Sequence, residues 1–304
     1  MAARFELRHL TAALIFDLED GYARRRGVRG LHPRPIGPLV YRLLGRAQDG
    51  GTERFEPPLD LRVRRNPSGF DLFFGLVELP DGTRRTLADG VYALRISSPY
   101  QYYQPVELEN IALPRPDTPF SVDLEPAAGY PFPTETLPRF RGPTLLRGVY
   151  AGRDGAGIAG ATVQVPGVST ICVTDHIGQW VLVFPDDQPT GNVTVRFQAS
   201  DGTVENVPGV LVLGGQEASL RQTALRGWTL ATTGAPLAGA SVAVSGQPAP
   251  VRSRPDGSWS YYFPLSQQAT TVSVTASLPD GRAQTHPNIP VEPRATNVVP
   301  TFRL

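Results

Sequence analysis

The sequence predicts an all-β protein made of three β-sandwich domains in tandem. Three observations carry that prediction. The second half repeats itself without a gap at an offset of 79 residues: Leu146-Arg147-Gly148 returns as Leu225-Arg226-Gly227, and Gly178-Gln179-Trp180 as Gly257-Ser258-Trp259. Glycine and proline each occur 31 times in 304 residues and punctuate short apolar runs, as turns punctuate strands. Within those runs polar and apolar residues alternate, the period of a strand with one buried face.

Residues 1–125 are expected to form a divergent first sandwich with an arginine-rich loop. Residues 10–17 read as its opening strand, and the Arg-rich, Pro/Gly-containing excursion runs from there to Pro38. Apolar runs at 69–79, 90–98, 106–113 and 120–124 supply further strands. Residues 126–144 carry Pro126, Pro131, Pro133, Pro138 and Pro143, the composition of an extended, semi-rigid linker. The two repeats follow at 145–224 and 225–304. In the first, Ala161, Val163 and Val165 share a core face; Ala240, Val242 and Val244 match them in the second. A Trp-bearing strand comes next in each copy, at 179–184 and 258–263. Each is entered through a glycine, Gly178 or Gly257, placed to supply the positive φ of a tight turn. Val193-Thr194-Val195 and Val272-Ser273-Val274 lie in a further strand, and closing strands are expected at 218–225 and 297–304. Roughly seven short strands per copy make a small sandwich.

These motifs carry a family resemblance. Leu146-Arg147-Gly148, then Gly157-Ile158-Ala159-Gly160-Ala161-Thr162-Val163, then Thr174-Asp175-x-x-Gly178-x-Trp180-x-Leu182 and the Val-x-Val strand resemble the carboxypeptidase regulatory-like domain. The resemblance covers 146–225 and 226–304, about half the chain. It implies an Ig-like, transthyretin-like Greek-key sandwich in an accessory role, with no shared catalytic residues. Acidic residues are frequent before the turn glycine in that family. Here Asp175 holds such a place in the first copy, and the second keeps only Asp256, at a different position. Gly90-x-Tyr92-x-Leu94-x-Ile96 resembles the second half of the same module within the first domain.

Composition narrows the function. Net charge is +1, so no nucleic-acid partner is expected, since such binding rests on neutralising phosphates. All 29 basic residues are arginine, which excludes a lysine-dependent phosphate loop. Up to Gly142 there are 19 Arg and 18 acidic residues, leaving 10 and 10 for the repeats. The repeats are thus sparsely charged and rich in Val, Thr, Ser and Gly, as sandwich strands with uncharged outer faces are. A single cysteine, Cys172, leaves no internal disulfide framework. The first residues carry charges where a secretory apolar segment would lie, and no run approaches the eighteen or so residues of a membrane helix. The expected location is the cytoplasm, or a particle released without a signal peptide.

Candidate chemistry is sparse. His9, His32, His176 and His286 do not sit at metal-ligand spacing from one another or from Cys172, so no metal and no cofactor is expected. No Gly-x-Ser-x-Gly elbow is present. Cys172 aligns with Val251, which makes it a packing position rather than a reactive thiol. Arg24, Arg25, Arg26 and Arg29, with Arg34 beyond, form the sharpest charge cluster. They read either as a grip on a protein partner or as a solvated loop neutralised by Asp17, Glu19 and Asp20. Tyr100, Tyr102 and Tyr103, in a Pro-Tyr-Gln-Tyr-Tyr-Gln-Pro run, are the best contact-surface candidates; the alternative is a cap on the end of a sandwich. Asp186-Asp187 reads as a solvated loop pair.

The expected function is that of a non-enzymatic structural and interaction protein with protein partners. A large assembly such as a phage-tail-like or contractile injection particle is the setting that analogy suggests. Two other classes are carried alongside. One is a carbohydrate- or surface-binding accessory protein, stacking through Tyr100, Tyr102, Tyr103 and Trp228. The other is an enzyme with a polar cluster around His9, His32 and Asp17.

Overall fold

The computed structural model describes residues 12–26, 33–48, 51–79, 82–132, 143–185 and 187–304. The chain divides into two compact units, Met1–Pro131 and Phe132–Leu304, so that both repeats lie in the second. Strands account for nearly all the regular structure, as expected.

The first unit contains β1 (Leu14–Asp20), a short α1 (Gly21–Arg25), β2 (Val40–Gln48), β3 (Gly51–Arg65), β4 (Asp71–Glu78), β5 (Arg84–Thr86), β6 (Gly90–Ser97), β7 (Val106–Leu113) and β8 (Arg115–Leu124). They form one continuous sheet in the order β7-β6-β2-β3-β4-β1-β8, with β5 added on β4. β7 and β8 are at opposite ends of that order, yet Pro114 alone separates them along the chain. The sheet therefore curls, and a Tyr103–Pro126 bridge beyond the other ends of β7 and β8 ties the curl again, although β7 and β8 do not pair with each other. The curled sheet encloses Leu14, Phe16, Leu43, Phe73, Leu94 and Leu124.

Local sequence explains most of these elements. In β1, Leu14, Phe16 and Leu18 alternate with half-buried residues, and Asp20 ends the strand by capping α1. Its Oδ1 accepts the Ala23 N–H at 2.9 Å, the usual N-cap arrangement. The opening strand thus runs later than 10–17, from Leu14 to Asp20; residues 10 and 11 lie outside the described set. The expected strands include no counterpart of β2 and β3. Glu56-Pro57-Pro58 breaks the strand pattern in β3, and the structure places it at a shift of register: Leu43 pairs Leu59, but Gly45 pairs Arg54. Proline is tolerated there because a bulge withholds no ladder hydrogen bond. The expected linker also begins later than position 126. Pro126 bridges Tyr103, and Tyr130 is buried in the first unit. Residues 133–142 lie outside the described set.

The first repeat holds β9 (Leu145–Val149), β10 (Thr162–Gln164), β11 (Ile171–Val173), β12 (Gln179–Val183), β13 (Gly191–Gln198), β14 (Val204–Val212) and β15 (Glu217–Leu220). The second holds β16 (Ala224–Leu230), β17 (Ser241–Val244), β18 (Val251–Arg252), β19 (Ser258–Tyr262), β20 (Thr270–Ser277), β21 (Ala283–Val291) and β22 (Thr296–Val298), then β23 (Phe302–Arg303). The sheets are β12-β9-β15 and β11-β10-β13-β14 in one copy, and β19-β16-β22 and β18-β17-β20-β21 in the other, with β23 also on β16. Strand for strand, the topology repeats.

The repeated motifs have identifiable jobs. Trp180 stands opposite Gly148, and Trp259 opposite Gly227, across neighbouring strands. A Cβ on either glycine would lie 2.8 Å from the indole ring, so the Leu-Arg-Gly motif keeps room for the tryptophan. Gly178 and Gly257 adopt φ of 77° and 74°, the left-handed turn that glycine accepts without penalty. A buried hydroxyl also recurs. Thr174 Oγ1 accepts from Ala161 N and donates to the Ile158 carbonyl at 2.8 and 2.6 Å. Ser253 Oγ does the same with Ala240 and Leu237 at 2.9 and 2.6 Å.

The junction between the repeats does not recur. Leu265 of the second repeat is 2% exposed and packs into the core of the first. Gln222 Nε2 donates to the Ala151 and Phe263 carbonyls at 2.9 and 2.7 Å. Ser266 N donates to Glu205 Oε1 at 2.7 Å, and Arg294 donates to the Gly209 and Pro208 carbonyls at 3.1 Å each. At the shared offset Leu265 corresponds to Asp186, Arg294 to Gly215 and Glu205 to Gln284. The contact is specific to this pair of modules.

Two stability measurements check this description. Gly227→Ala should cost about 1–3 kcal/mol in denaturant unfolding, through overpacking against Trp259. Leu265→Ala should cost about 2–5 kcal/mol and lower the transition of the first repeat, in which Leu265 is not encoded; scanning calorimetry of the full chain reads both.

Candidate interaction surfaces

The arginine cluster starts from α1, where Asp20 caps the helix and turns Arg24 and Arg25 toward β8. Arg24 NH1 reaches both oxygens of Asp123 at 2.6 and 2.7 Å, and its Nε lies 3.4 Å from Glu19. Arg25 forms a two-pronged pair with Glu125 at 2.6 and 2.8 Å. Arg34 pairs Asp17 at 2.6 Å. Of the expected countercharges only Asp17, with Arg34, and Glu19, near Arg24, take part; Arg24 and Arg25 lie on a helix rather than a loop, and Asp123 and Glu125, far along the chain, are their main partners. Surface pairs of this kind contribute little to stability. Arg26 follows the helix as its C-cap; Arg29 lies outside the described residues, as do His9, His32 and Asp186.

Asp20 plays another part. It is fully buried, and its Oδ2 accepts from the hydroxyls of Tyr103 and Tyr130 at 2.8 and 2.7 Å. This hub ties β1 and α1 to the 100–105 run and to the segment after β8. Its three acceptor bonds satisfy a carboxylate that burial would otherwise penalise heavily. A second buried carboxylate, Asp71 at the start of β4, accepts from Arg65 Nε at 2.8 Å and from the Tyr41 hydroxyl. Burial first, and then the bond to Asp71, pushes the Tyr41 phenol well above its ordinary value.

The tyrosine run splits. Tyr103 is 2% exposed and belongs to the core, which removes it from the partner-binding surface expected for it. Its hydroxyl is committed to Asp20. Tyr100 is 61% exposed, and its ring lies 5.6 Å from that of Tyr102. Tyr100 remains a surface residue, and Tyr102 beside it is half-buried. Trp228, on the outer face of β16, is also exposed, with Val298 beside the same strand.

Cavities on the first unit include one of about 460 Å³ over β2, β3, β6 and β7, lined by Leu44, Val91, Ala93, Phe55, Arg54 and Glu109 among others. Another, of about 470 Å³, sits beside Tyr41, Arg65 and Asp71, whose polar atoms bond one another. Among the described residues no cluster of three or more His, Cys, Asp or Glu could hold a metal ion. His176 is exposed on its turn, and the His286 ring lies 4.5 Å from that of Phe302. Asp175 and Asp256 serve their turns: Asp175 Oδ1 accepts from Ile177 N and Gln179 N at 3.0 and 2.8 Å, and Asp256 Oδ1 from Ser258 N at 2.9 Å. Cys172 is buried, and burial pushes its thiol up to about 12.

The repeats also differ on one flank. β11 is the terminal strand of its sheet, and Ile171 and Val173 on it, with Ile177 in the following turn, are exposed. At the same offset the second repeat has Pro250, Arg252 and Asp256. No sequence motif announces this difference; it becomes visible once the two copies are laid over a common fold.

Two measurements separate surface from core. Tyr103→Ala should cost about 3–5 kcal/mol in chemical unfolding, whereas Tyr100→Ala should stay within about 0.5 kcal/mol of wild type. With its pKa raised, the Cys172 thiol is protonated at pH 8 in the folded state. A disulfide reagent should therefore label the native chain at least about 100-fold more slowly than the urea-unfolded chain.

No protein-family model and no curated protein matches this sequence. Among solved structures, a Streptococcal ancillary pilin aligns over 96% of this chain and 99% of its own at 12% identity and a TM-score of 0.22. The Bacillus anthracis TIE protein aligns over 95% and 50% of the two chains at 9% identity and 0.21. BcpA, the major pilin subunit of Bacillus cereus, aligns over 96% and 99% at 9% identity and 0.18. Superpositions this loose assign no function. No helix among the described residues is long and apolar enough to cross a membrane.

Proposed function

We propose that this chain is a non-enzymatic structural and interaction protein, a subunit of a multi-protein assembly in which the tandem sandwiches form one docking unit. The observation that carries this reading is the junction at Leu265. A core side chain of one module completes the core of the other, and Gln222, Glu205 and Arg294 add bonds across the same contact. Modules that fix one another in this way suit a spacer, which must hold its docking faces in register. The titratable groups agree with that use. Cys172 is a buried, protonated thiol, and Asp20 and Asp71 are saturated by partners within the fold.

The finer parts of the proposal have their own support. The seven-strand, two-sheet plan shared by both copies, to which the second adds β23, favours the carboxypeptidase regulatory-like type for the two sandwiches. A phage-tail-like or contractile injection particle is the kind of assembly to examine first. Isolation of the protein from its native cell tests the reading: it should co-sediment with a particle, and a lone monomer with no co-purifying component would contradict it. A second reading, carbohydrate or surface binding, draws on exposed Tyr100, with half-buried Tyr102 beside it, and on Trp228, since exposed aromatic faces stack on flat ligands. Glycan-array binding that disappears in Tyr100→Ala or Trp228→Ala would favour it.

A further inference from the structure

We propose that β11 is a homotypic docking edge, at which two copies of this chain join by antiparallel pairing of β11 with β11 across a twofold axis. The inference deepens the interaction reading by naming a surface and a partner, and it holds whether or not a larger particle exists.

The molecule contains its own control. β11 and β18 are the same terminal strand in two sandwiches of the same topology. At the three outward positions of this flank the second repeat carries Pro250, Arg252 and Asp256. Proline withholds a donor, and charged side chains resist a neighbouring strand, so these residues blunt an edge. The first repeat carries Ile171, Val173 and Ile177, which are 55%, 44% and 47% exposed. The fold does not need them, because the sister copy folds with a proline and two charged residues there. The remaining edges of the two four-stranded sheets are blunted as well. β14 contains Pro208, and its Pro208 and Gly209 carbonyls accept from Arg294; β21 contains Pro287 and Pro290.

Charge points to a second copy as the occupant. No charged residue lies between Asp154 and Asp175, so β11 offers a partner strand no ion to pair with and its own copy no ion to repel. A twofold centred on Cys172 sets Ile171 of one copy opposite Val173 of the other, an aliphatic cross-strand pair, with each surface meeting itself as a twofold interface requires. The Cys172 side chains stay in their own cores. Three half-exposed side chains fall far short of the roughly 800 Å² per partner of a standing complex. The dimer is therefore a weak one, populated at high concentration or where neighbouring contacts already hold two copies together.

Sedimentation equilibrium of the full chain from about 10 µM to about 1 mM tests it. The wild type should show reversible monomer–dimer exchange. Val173→Arg with Ile177→Asp, the sister repeat's own residues, should weaken the dimer at least tenfold while the thermal transition stays in place. Val173→Thr, which keeps strand propensity, should weaken it less and in the same direction, so a folding defect in the double variant does not decide the matter. A monomer across the whole range overturns the proposal, as does a dimer that both variants leave intact or that Trp228→Ser abolishes. None of these outcomes bears on co-sedimentation with a particle.

Discussion

In each repeat the tryptophan of the turn-entered strand stands across from a glycine on the middle strand of the smaller sheet, and the rest of the sandwich is arranged around that pair. The ring occupies the space a Cβ would take, at 2.8 Å from where that atom would lie. Packed sheets stand about 10 Å apart, and an indole sunk onto a bare backbone fits that gap without forcing the sheets open. Its aromatic neighbour is kept even when the supplying strand changes. Phe197 on β13 meets Trp180 at 5.3 Å; the matching residue in the second copy is Ala276, and Phe302 on β23 meets Trp259 at 6.1 Å instead. Volume and ring contact are conserved between the copies, and the sequence position of the second ring is not.

The first unit solves its packing differently. Its sheet curls around the core, and two buried aspartates bond distant segments together within it. Both stand on the core phase of their strands, Asp20 after Leu14, Phe16 and Leu18, and Asp71 before Phe73 and Val77. A carboxylate in that phase is stable only when fully hydrogen-bonded, and the tyrosines that serve it come from segments far away in sequence. Tyr103 and Tyr130 are therefore structural residues, which is why the tyrosine run divides between core and surface.

The repeat frame was legible because its determinants are local. Turn glycines, alternating valines and the Trp-bearing strand each declare themselves within a few residues, and comparison of two copies separates scaffold from variation. Cys172 could be read as a core residue from Val251 alone. The long hairpin of β2 and β3 escaped because Glu56-Pro57-Pro58 reads as a strand breaker and only the partner strand shows it to be a bulge. Countercharges for Arg24 and Arg25 escaped for a similar reason: Asp123 and Glu125 reach them through the parallel pairing of β1 with β8, which no short-range pattern records. The junction at Leu265 was hidden by the repeat itself, since a residue at one offset packs into the core of the neighbouring module.

What the two copies share is a frame, and what they do not share is how each meets its surroundings. The two repeats carry one frame and are joined through Leu265, so they open together, while their flanks have diverged, one blunted and one open. Hydrogen exchange measured on dilute and concentrated protein tests this most directly. Strands β9, β12, β16 and β19 should be equally slow in both samples, and concentration should slow exchange at β11 while leaving β18 unchanged. Independent opening of one repeat, or protection appearing at β18 instead of β11, would contradict it.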